Sequence, residues 1–71
     1  MNDDVTLFRL ERPNPLPDQE GGHVADAIVF PDGMSILRWR TEPKGVEIYP
    51  TEQAMRDVRE RSGRSILIEV R

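Results

Sequence analysis

The side chains that most often do chemistry in proteins are sparse and scattered in this chain. His23 is the single histidine and there is no cysteine, so a transition-metal site would lack a second nitrogen or sulfur ligand. Nucleophilic catalysis would need Ser35, Ser62 or Ser65 beside a base, and nothing in the spacing brings one of them to His23. We therefore expect His23 to be a surface residue that holds no metal.

Paired carboxylates and glycines lie in segments that suit catalysis poorly. Asp3 and Asp4 belong to an acidic tail, residues 1–4, where exposure to water serves general acid catalysis poorly. Gly21 and Gly22 are not followed by the lysine and helix that build a phosphate cradle. The sequence predicts no catalytic residue, no cofactor and no small-molecule substrate, and we expect the protein not to be an enzyme.

Length and charge restrict the classes of protein to which the chain can belong. Its 71 residues leave room for a single domain, residues 1–71, with one core and no disulfide to reinforce it. No apolar run is long enough to cross a bilayer, and the acidic N-terminus is unlike a signal peptide, so we expect a cytoplasmic protein without membrane contact. A net charge of −3 with mixed signs argues against general affinity for nucleic acid.

The first third of the chain combines a strand pattern with a proline-rich segment. Residues 5–10 are rich in β-formers and predict a first strand. Prolines at 13, 15 and 17 predict an extended loop over residues 11–22, which is either a connector or a ligand-binding loop. The loop cannot join a β-ladder, because each proline lacks an amide donor.

A hairpin centred on Pro31-Asp32-Gly33 is the clearest local signal. Proline presets the first turn position, and Gly33 suits the positive φ of a three-residue loop. The turn fixes the register of the strands on either side, residues 23–30 and 34–40. The predicted pairs are Phe30 with Met34, Ile28 with Ile36, Ala27 with Leu37, Asp26 with Arg38 and Ala25 with Trp39.

This register divides the hairpin into a core face and an outer face. The core face pairs small residues with large ones and can therefore accommodate a tryptophan. It carries Ala25, Ala27, Val29, Leu37 and Trp39. The outer face carries Val24, Asp26, Ile28, Phe30, Met34, Ile36, Arg38 and Arg40.

A second hairpin follows around Pro43 and Gly45. Pairing residue 41 with residue 46 would place Ile48 opposite Trp39 in the core and Tyr49 beside Arg38 on the outer face. An alternative register puts Glu47 on the core face. We reject it at this point, because it would bury a carboxylate.

A short helix and a last strand complete the chain. Thr51 caps a helix that begins at Glu52, and Gly63 favours its termination after about residue 61. Residues 65–71 alternate as a strand, so the order is β-β-β-β-α-β. The predicted fold is α+β, a small four- to five-stranded, mostly antiparallel sheet with one helix packed on one face. The positions of the first and last strands stay open, including a parallel crossover.

The outer face supplies the candidate binding residues. One helix covers one side of a sheet, which leaves an apolar cluster on the other side that is typical of a protein interface or of self-association. A weaker alternative is nucleic-acid binding through basic and aromatic residues of the same face. A third arrangement has the first strand or the proline-rich loop cover the cluster. The candidate partner-binding residues are Ile28, Phe30, Met34, Ile36, Arg38, Arg40 and Tyr49.

The order of these motifs also carries a resemblance. The stretch 29–33, followed by Ile36-Leu37-Arg38-Trp39, Ile48-Tyr49, a capped acidic helix start and an isoleucine-rich last strand, resembles short uncharacterised proteins of actinobacteria and their phages. The resemblance extends over residues 5–71, although the proline-rich loop departs from it. It implies a bacterial or phage setting and no particular activity. We therefore expect a non-catalytic protein-interaction module, binding a host protein or a second copy of itself.

Overall fold

The computed structural model describes residues 4–70, so residues 1–3 of the predicted acidic tail and the last residue of the predicted final strand lie outside the described part. One helix packs on a five-stranded sheet of order β4-β3-β2-β1-β5, and every neighbouring pair is antiparallel. This confirms the predicted α+β class and element order. The elements are β1 Thr6–Arg12, β2 Gly22–Val29, β3 Ser35–Trp39, β4 Val46–Tyr49, α1 Glu52–Arg59 and β5 Ile66–Glu69.

The central hairpin has the predicted register. The β2–β3 pairs run from Ala25 with Trp39 to Val29 with Ser35. At the turn, the Phe30 amide donates to the Met34 carbonyl at 2.8 Å, and Gly33 has a φ of +97°. Because only glycine adopts such a φ at little cost, the turn residue fixes the alignment of both strands.

Strand β1 is longer than predicted, and the proline-rich loop is shorter. β1 continues to Arg12 through a bulge between Leu10 and Glu11, so the connection to β2 spans residues 13–21. The loop approaches the segment before β5, where the Asn14 amide donates to the Arg64 carbonyl at 3.5 Å. The extra strand length places Arg12 at the end of the sheet.

The predicted register of the second hairpin is wrong. β3 and β4 pair Leu37 with Glu47 and Ser35 with Tyr49, a shift that exchanges the two faces of β4. Glu47 therefore lies on the helix side of the sheet, and Ile48 lies on the outer face with 67% of its surface exposed. The prediction assumed that a carboxylate on the helix side would be buried without partners, which is unfavourable. In the fold, Glu47 has hydrogen-bond donors and a cation beside it, described below.

Helix α1 begins as predicted. Thr51 has an extended backbone, and its hydroxyl oxygen accepts from the Ala54 amide at 3.0 Å. Met55 is fully buried beneath the helix. Arg56 bridges Glu52 at 2.9 Å and the carboxylate four residues later at 3.2 Å, so the polar face of the helix is salt-bridged as its spacing predicts.

Strand β5 runs antiparallel to β1 at the edge of the sheet, so the parallel crossover does not occur. Leu67 is buried toward the helix and Ile68 points to the outer face. Glu60, at the end of the helix, accepts from the Leu67 amide at 2.8 Å. The helix terminus and the edge strand are thus joined directly.

The hydrophobic core lies between the sheet and α1. Trp39 and Tyr49 pack against its margin and are half-buried, which confirms Trp39 on the helix side. The core takes residues from the inner three strands and one residue each from the helix and β5. Val24, which the sequence places on the outer face, is fully buried here, because it is the unpaired residue at the bulge between β1 and β2. The core comprises Phe8, Leu10, Val24, Ala25, Ala27, Val29, Leu37, Met55 and Leu67.

Residues 4–70 contain neither a membrane-spanning helix nor a cluster of metal ligands. No helix there is long and apolar enough to cross a membrane. The same part of the chain contains no group of three or more acidic, histidine or cysteine side chains arranged to hold a metal ion.

Candidate interaction surface

A row of aliphatic side chains crosses the whole outer face of the sheet. Strand registers place its members directly opposite one another, and at the β5 edge the Val70 amide donates to the Leu7 carbonyl at 2.8 Å. Residues directly opposite on antiparallel strands share a face. The row therefore crosses β1 to β4 and reaches Val70, the residue after β5, without a polar interruption. Its members are Val70, Leu7, Ile28, Ile36 and Ile48, and we call it the aliphatic row.

A charged row runs parallel to it, two residues further along each strand. Its centre consists of Arg9, Asp26 and Arg38 in neighbouring positions, and Ile68 and Val46 occupy its two ends. The outer face thus has an apolar side and a polar side. Polar groups beside an apolar centre are the arrangement found in protein interfaces.

The turn of the central hairpin continues the apolar surface. Phe30, Pro31 and Met34 line a shallow hollow of about 470 Å³ together with Asp32. Met34 is exposed and Phe30 is half-buried. Because the hairpin leads directly into Ile28 and Ile36, the hollow and the aliphatic row are adjacent on the outer face.

The structure brings most of the predicted binding residues together, with one exception. Ile28 and Ile36 belong to the aliphatic row, and Arg38 belongs to the charged row. Arg40 lies just beyond β3, where its guanidinium is 3.5 Å from the Asp26 carboxylate. Tyr49 was predicted on this face and lies instead on the helix side, because the register of β4 differs.

His23 and Ser35 each contact other residues. His23 Nε2 lies 2.6 Å from Asp26 Oδ1 at the surface. Ser35 is fully buried, and its hydroxyl donates to the Gly33 carbonyl at 2.9 Å. The histidine–carboxylate contact is therefore formed with a residue of the charged row, while Ser35 is engaged by the turn.

On the helix side, Glu47 is the centre of a polar cluster. It accepts from Trp39 Nε1 at 2.9 Å and from the Tyr49 hydroxyl, and it lies 3.3 Å from Arg59 Nε. Burial, followed by the hydrogen bond to Glu47, raises the pKa of the Tyr49 hydroxyl above 10.0. The cluster joins β3, β4 and α1, and it explains how this register accommodates a carboxylate.

Sequence reasoning missed three of the five members of the aliphatic row. Leu7, Ile48 and Val70 complete the aliphatic row, but none was assigned to a binding face. The sequence signal for Leu7 was its position in the first strand: Phe8 and Leu10 share one face of a strand, so Leu7 lies on the opposite face. The two edge positions depended on registers that local sequence did not determine.

Comparison with known protein families gave a match that covers nearly the whole chain. The family model described as Acb5 phage protein matches residues 5–70. Comparisons with curated proteins and with solved structures found no match.

Proposed function

The chain belongs to the Acb5 phage protein family, and we propose that it acts within an infected bacterium as a small, non-catalytic protein-interaction module. The observation that supports this most strongly is the aliphatic row. Single exposed aliphatic residues are common on protein surfaces, whereas a continuous row across the width of a sheet is not. We propose a cytoplasmic site of action and an actinobacterial host, following the resemblance of the motifs.

The two faces of the sheet differ in how they are covered. The helix covers one face, and the proline-rich loop contributes Leu16 to a cleft on that same side. Leu7 and Ile48 on the other face are 46% and 67% exposed. Each aliphatic side chain left in water forgoes about 1.5–3 kcal/mol of burial, so contact with another polypeptide is favourable.

The size of the face limits the strength of that contact. Five strands spaced about 4.8 Å apart and about 17 Å long cover roughly 400 Å² of flat area. A standard interface buries about 800 Å² on each partner. The row alone supports weak association, and a tight complex would need the hollow formed by Phe30 and Met34 as well.

A second copy of the chain is the first partner we propose. A two-fold axis through the outer face would pack one aliphatic row against its equivalent and leave the charged rows toward the rim. A host protein that presents an apolar strand or helix is the second proposed partner.

Nucleic-acid binding ranks lower. Arg38 and Arg40 remain on or beside the outer face, but Arg40 is paired with Asp26, and Tyr49 does not lie there to stack a base. Oligonucleotide titration at two salt concentrations tests this alternative, because phosphate contacts make affinity strongly salt-dependent. Salt-sensitive binding that is lost in Arg38→Gln would favour it over protein binding.

The protein-binding proposal is tested by capture with matched variants. The tagged wild-type chain, Ile48→Lys on the outer face and Leu16→Lys on the helix side are each immobilised. Each is then exposed to lysate of the bacterial host and, separately, to a differently tagged second copy. We expect wild type and Leu16→Lys to retain the same partner and Ile48→Lys to lose it. Equal retention by all three, with the variants shown to be folded, would contradict an outer-face site.

A further inference from the structure

We propose that the cleft between the proline-rich loop, α1 and β5 is a binding site for a phosphate group carried by a small molecule. The cleft lies on the helix side, and its volume is about 220 Å³. Three arginines line it, and none of the ten lining residues is acidic, although the chain has 13 aspartates and glutamates. The lining residues are Leu10, Arg12, Leu16, Gln19, Trp39, Val58, Arg59, Ser62, Arg64 and Ser65.

The fold assembles the cleft from three parts of the chain. β1 and β5 pair as far as Glu11 with Ile66, so the next residue of each strand brings Arg12 and Ser65 side by side at its floor. The loop closes one side, where Leu16 and Gln19 form a turn through a 2.9 Å bond from the Gln19 amide to the Leu16 carbonyl. This gives the proline-rich loop a ligand-binding role, one of the two functions that its sequence left open.

Two of the three arginines have no carboxylate partner among residues 4–70. Arg12 donates to the backbone carbonyl of Glu20 at 3.0 Å. No carboxylate of the described residues lies within salt-bridge distance of its guanidinium. Arg64 is exposed and makes no side-chain bond in the described residues. Arg59 is the exception, because it lies 3.3 Å from Glu47. A guanidinium fork held without a carboxylate matches the oxygens of an anion.

Two of the arginines lie over the ring of Trp39. The guanidinium carbons of Arg12 and Arg59 lie 5.7 and 5.5 Å from its ring centroid. These contacts restrain both arginines, so less side-chain entropy is lost when an anion binds. The ring also gives the cleft an apolar wall.

The remaining polar groups of the cleft are hydrogen-bond donors. Gln19 uses its side-chain oxygen to accept from the Leu16 amide at 2.9 Å, which leaves its NH₂ group free to donate. Ser62 accepts from the Arg64 amide at 3.1 Å, which leaves its hydroxyl proton available. Two guanidinium forks, two hydroxyls and an amide exceed what the two oxygens of a carboxylate can accept. They suit the three terminal oxygens of a phosphate monoester.

Nearby acidic residues limit the affinity of the cleft for a phosphate group. Asp18, Glu20 and Glu42 line an adjacent groove that Arg12 also reaches. Their negative field opposes an approaching anion at low ionic strength. The apolar side chains of Leu16 and Val58 at the cleft favour an organic phosphate, which can bury its carbon portion, over the free ion.

The test uses phenyl phosphate, inorganic phosphate and benzoate as probes of the intact chain. Trp39 is the single tryptophan, so one indole N–H signal in a proton–nitrogen NMR spectrum reports on the cleft. We expect saturable shifts of that signal with phenyl phosphate, binding at least about tenfold weaker in Arg64→Gln, and no loss in Arg61→Gln. Arg61 is a matched control, because it is an exposed arginine that lines a different groove.

The three probes show whether the ligand of the cleft is free phosphate or an organic phosphate, and whether the cleft prefers phosphate to a carboxylate. Equal affinity for inorganic phosphate and phenyl phosphate would identify the free ion as the ligand, and tighter binding of phenyl phosphate would identify an organic phosphate. Either result supports the site. No saturable response to either phosphate would overturn it, as would equal affinity for benzoate and phenyl phosphate or equal losses in the two arginine variants. Unfolding curves of the variants verify that each is folded, and the outer face takes no part in this test.

Discussion

Glu47 shows how a single residue decides the face that a strand presents. Its carboxylate receives bonds from the Trp39 and Tyr49 side chains and lies beside Arg59, so burial to 30% exposure leaves it fully partnered. Sequence reasoning treated it as an unpaired charge and chose the opposite face. The two donors and the arginine come from three separate elements, and no local sequence pattern predicts that they meet.

Replacing Glu47 with glutamine tests this cluster through Tyr49. Burial is the larger cause of the raised pKa of Tyr49, and the bond to the Glu47 carboxylate is the second. We expect Glu47→Gln to lower the pKa of Tyr49, because the substitution removes the hydrogen bond to the carboxylate and its negative charge. Tyr49 is the only tyrosine, so phenolate absorbance measures its titration alone. An unchanged titration would mean that the carboxylate does not accept from the hydroxyl.

The same group gives a pH dependence of stability. Because folding raises the pKa of Tyr49, the protonated hydroxyl stabilises the fold below about pH 10, the pKa of an unperturbed tyrosine. This contribution is lost as the pH rises through the higher folded-state value. We expect the free energy of unfolding in urea to fall above about pH 10, and to fall less in Tyr49→Phe.

Trp39 contributes packing as well as its bond to Glu47. It is half-buried at the margin of the core, so we expect Trp39→Ala to reduce the free energy of unfolding by about 3 kcal/mol, the lower end of the range for aromatic truncations. Trp39→Phe keeps most of the packing and should lose less. Urea denaturation followed by circular dichroism measures both variants, and a Trp39→Ala variant as stable as wild type would contradict the packing role.

At the scale of elements, the two hairpins differ in how strongly their turns specify a register. The first has a three-residue loop in which one glycine must take a positive φ, so the pairing of β2 with β3 could be predicted residue by residue. The second has a longer connection, closed by a bond from the Trp39 amide to the Gly45 carbonyl at 2.9 Å. Loops of that length permit several registers, and side-chain partners distant in sequence select among them.

Substitution of the turn glycine tests the first hairpin. Gly33 has a φ of +97° and open space around its α-carbon, so strain and not collision is the expected effect of a side chain. We expect Gly33→Val to cost about 1–3 kcal/mol of unfolding free energy. Gly45→Ala is the control, because Gly45 has equal space and no positive φ, and its effect should be small. Equal losses in the two variants would show that the turn conformation is not what the glycine provides.

At the scale of the whole molecule, both faces of the sheet carry apolar residues. One helix of eight residues covers one of them. The sequence indicated an uncovered outer face because it contains one helix, and it located Ile28 and Ile36 there. It did not reveal that Leu7, Ile48 and Val70 extend the patch to both edges, because the order of strands in the sheet is a long-range property.

Sedimentation velocity at increasing protein concentration tests the central claim, that the outer face packs against another polypeptide and first against a second copy. We expect the wild type to pass from monomer toward dimer, Ile48→Lys to remain monomeric and Leu16→Lys to follow the wild type. A lysine in the aliphatic row would have to be buried in the dimer, whereas a lysine at residue 16 lies on the other side of the sheet. A wild-type chain that stays monomeric at every concentration, with both variants sedimenting identically, would contradict self-association through this face.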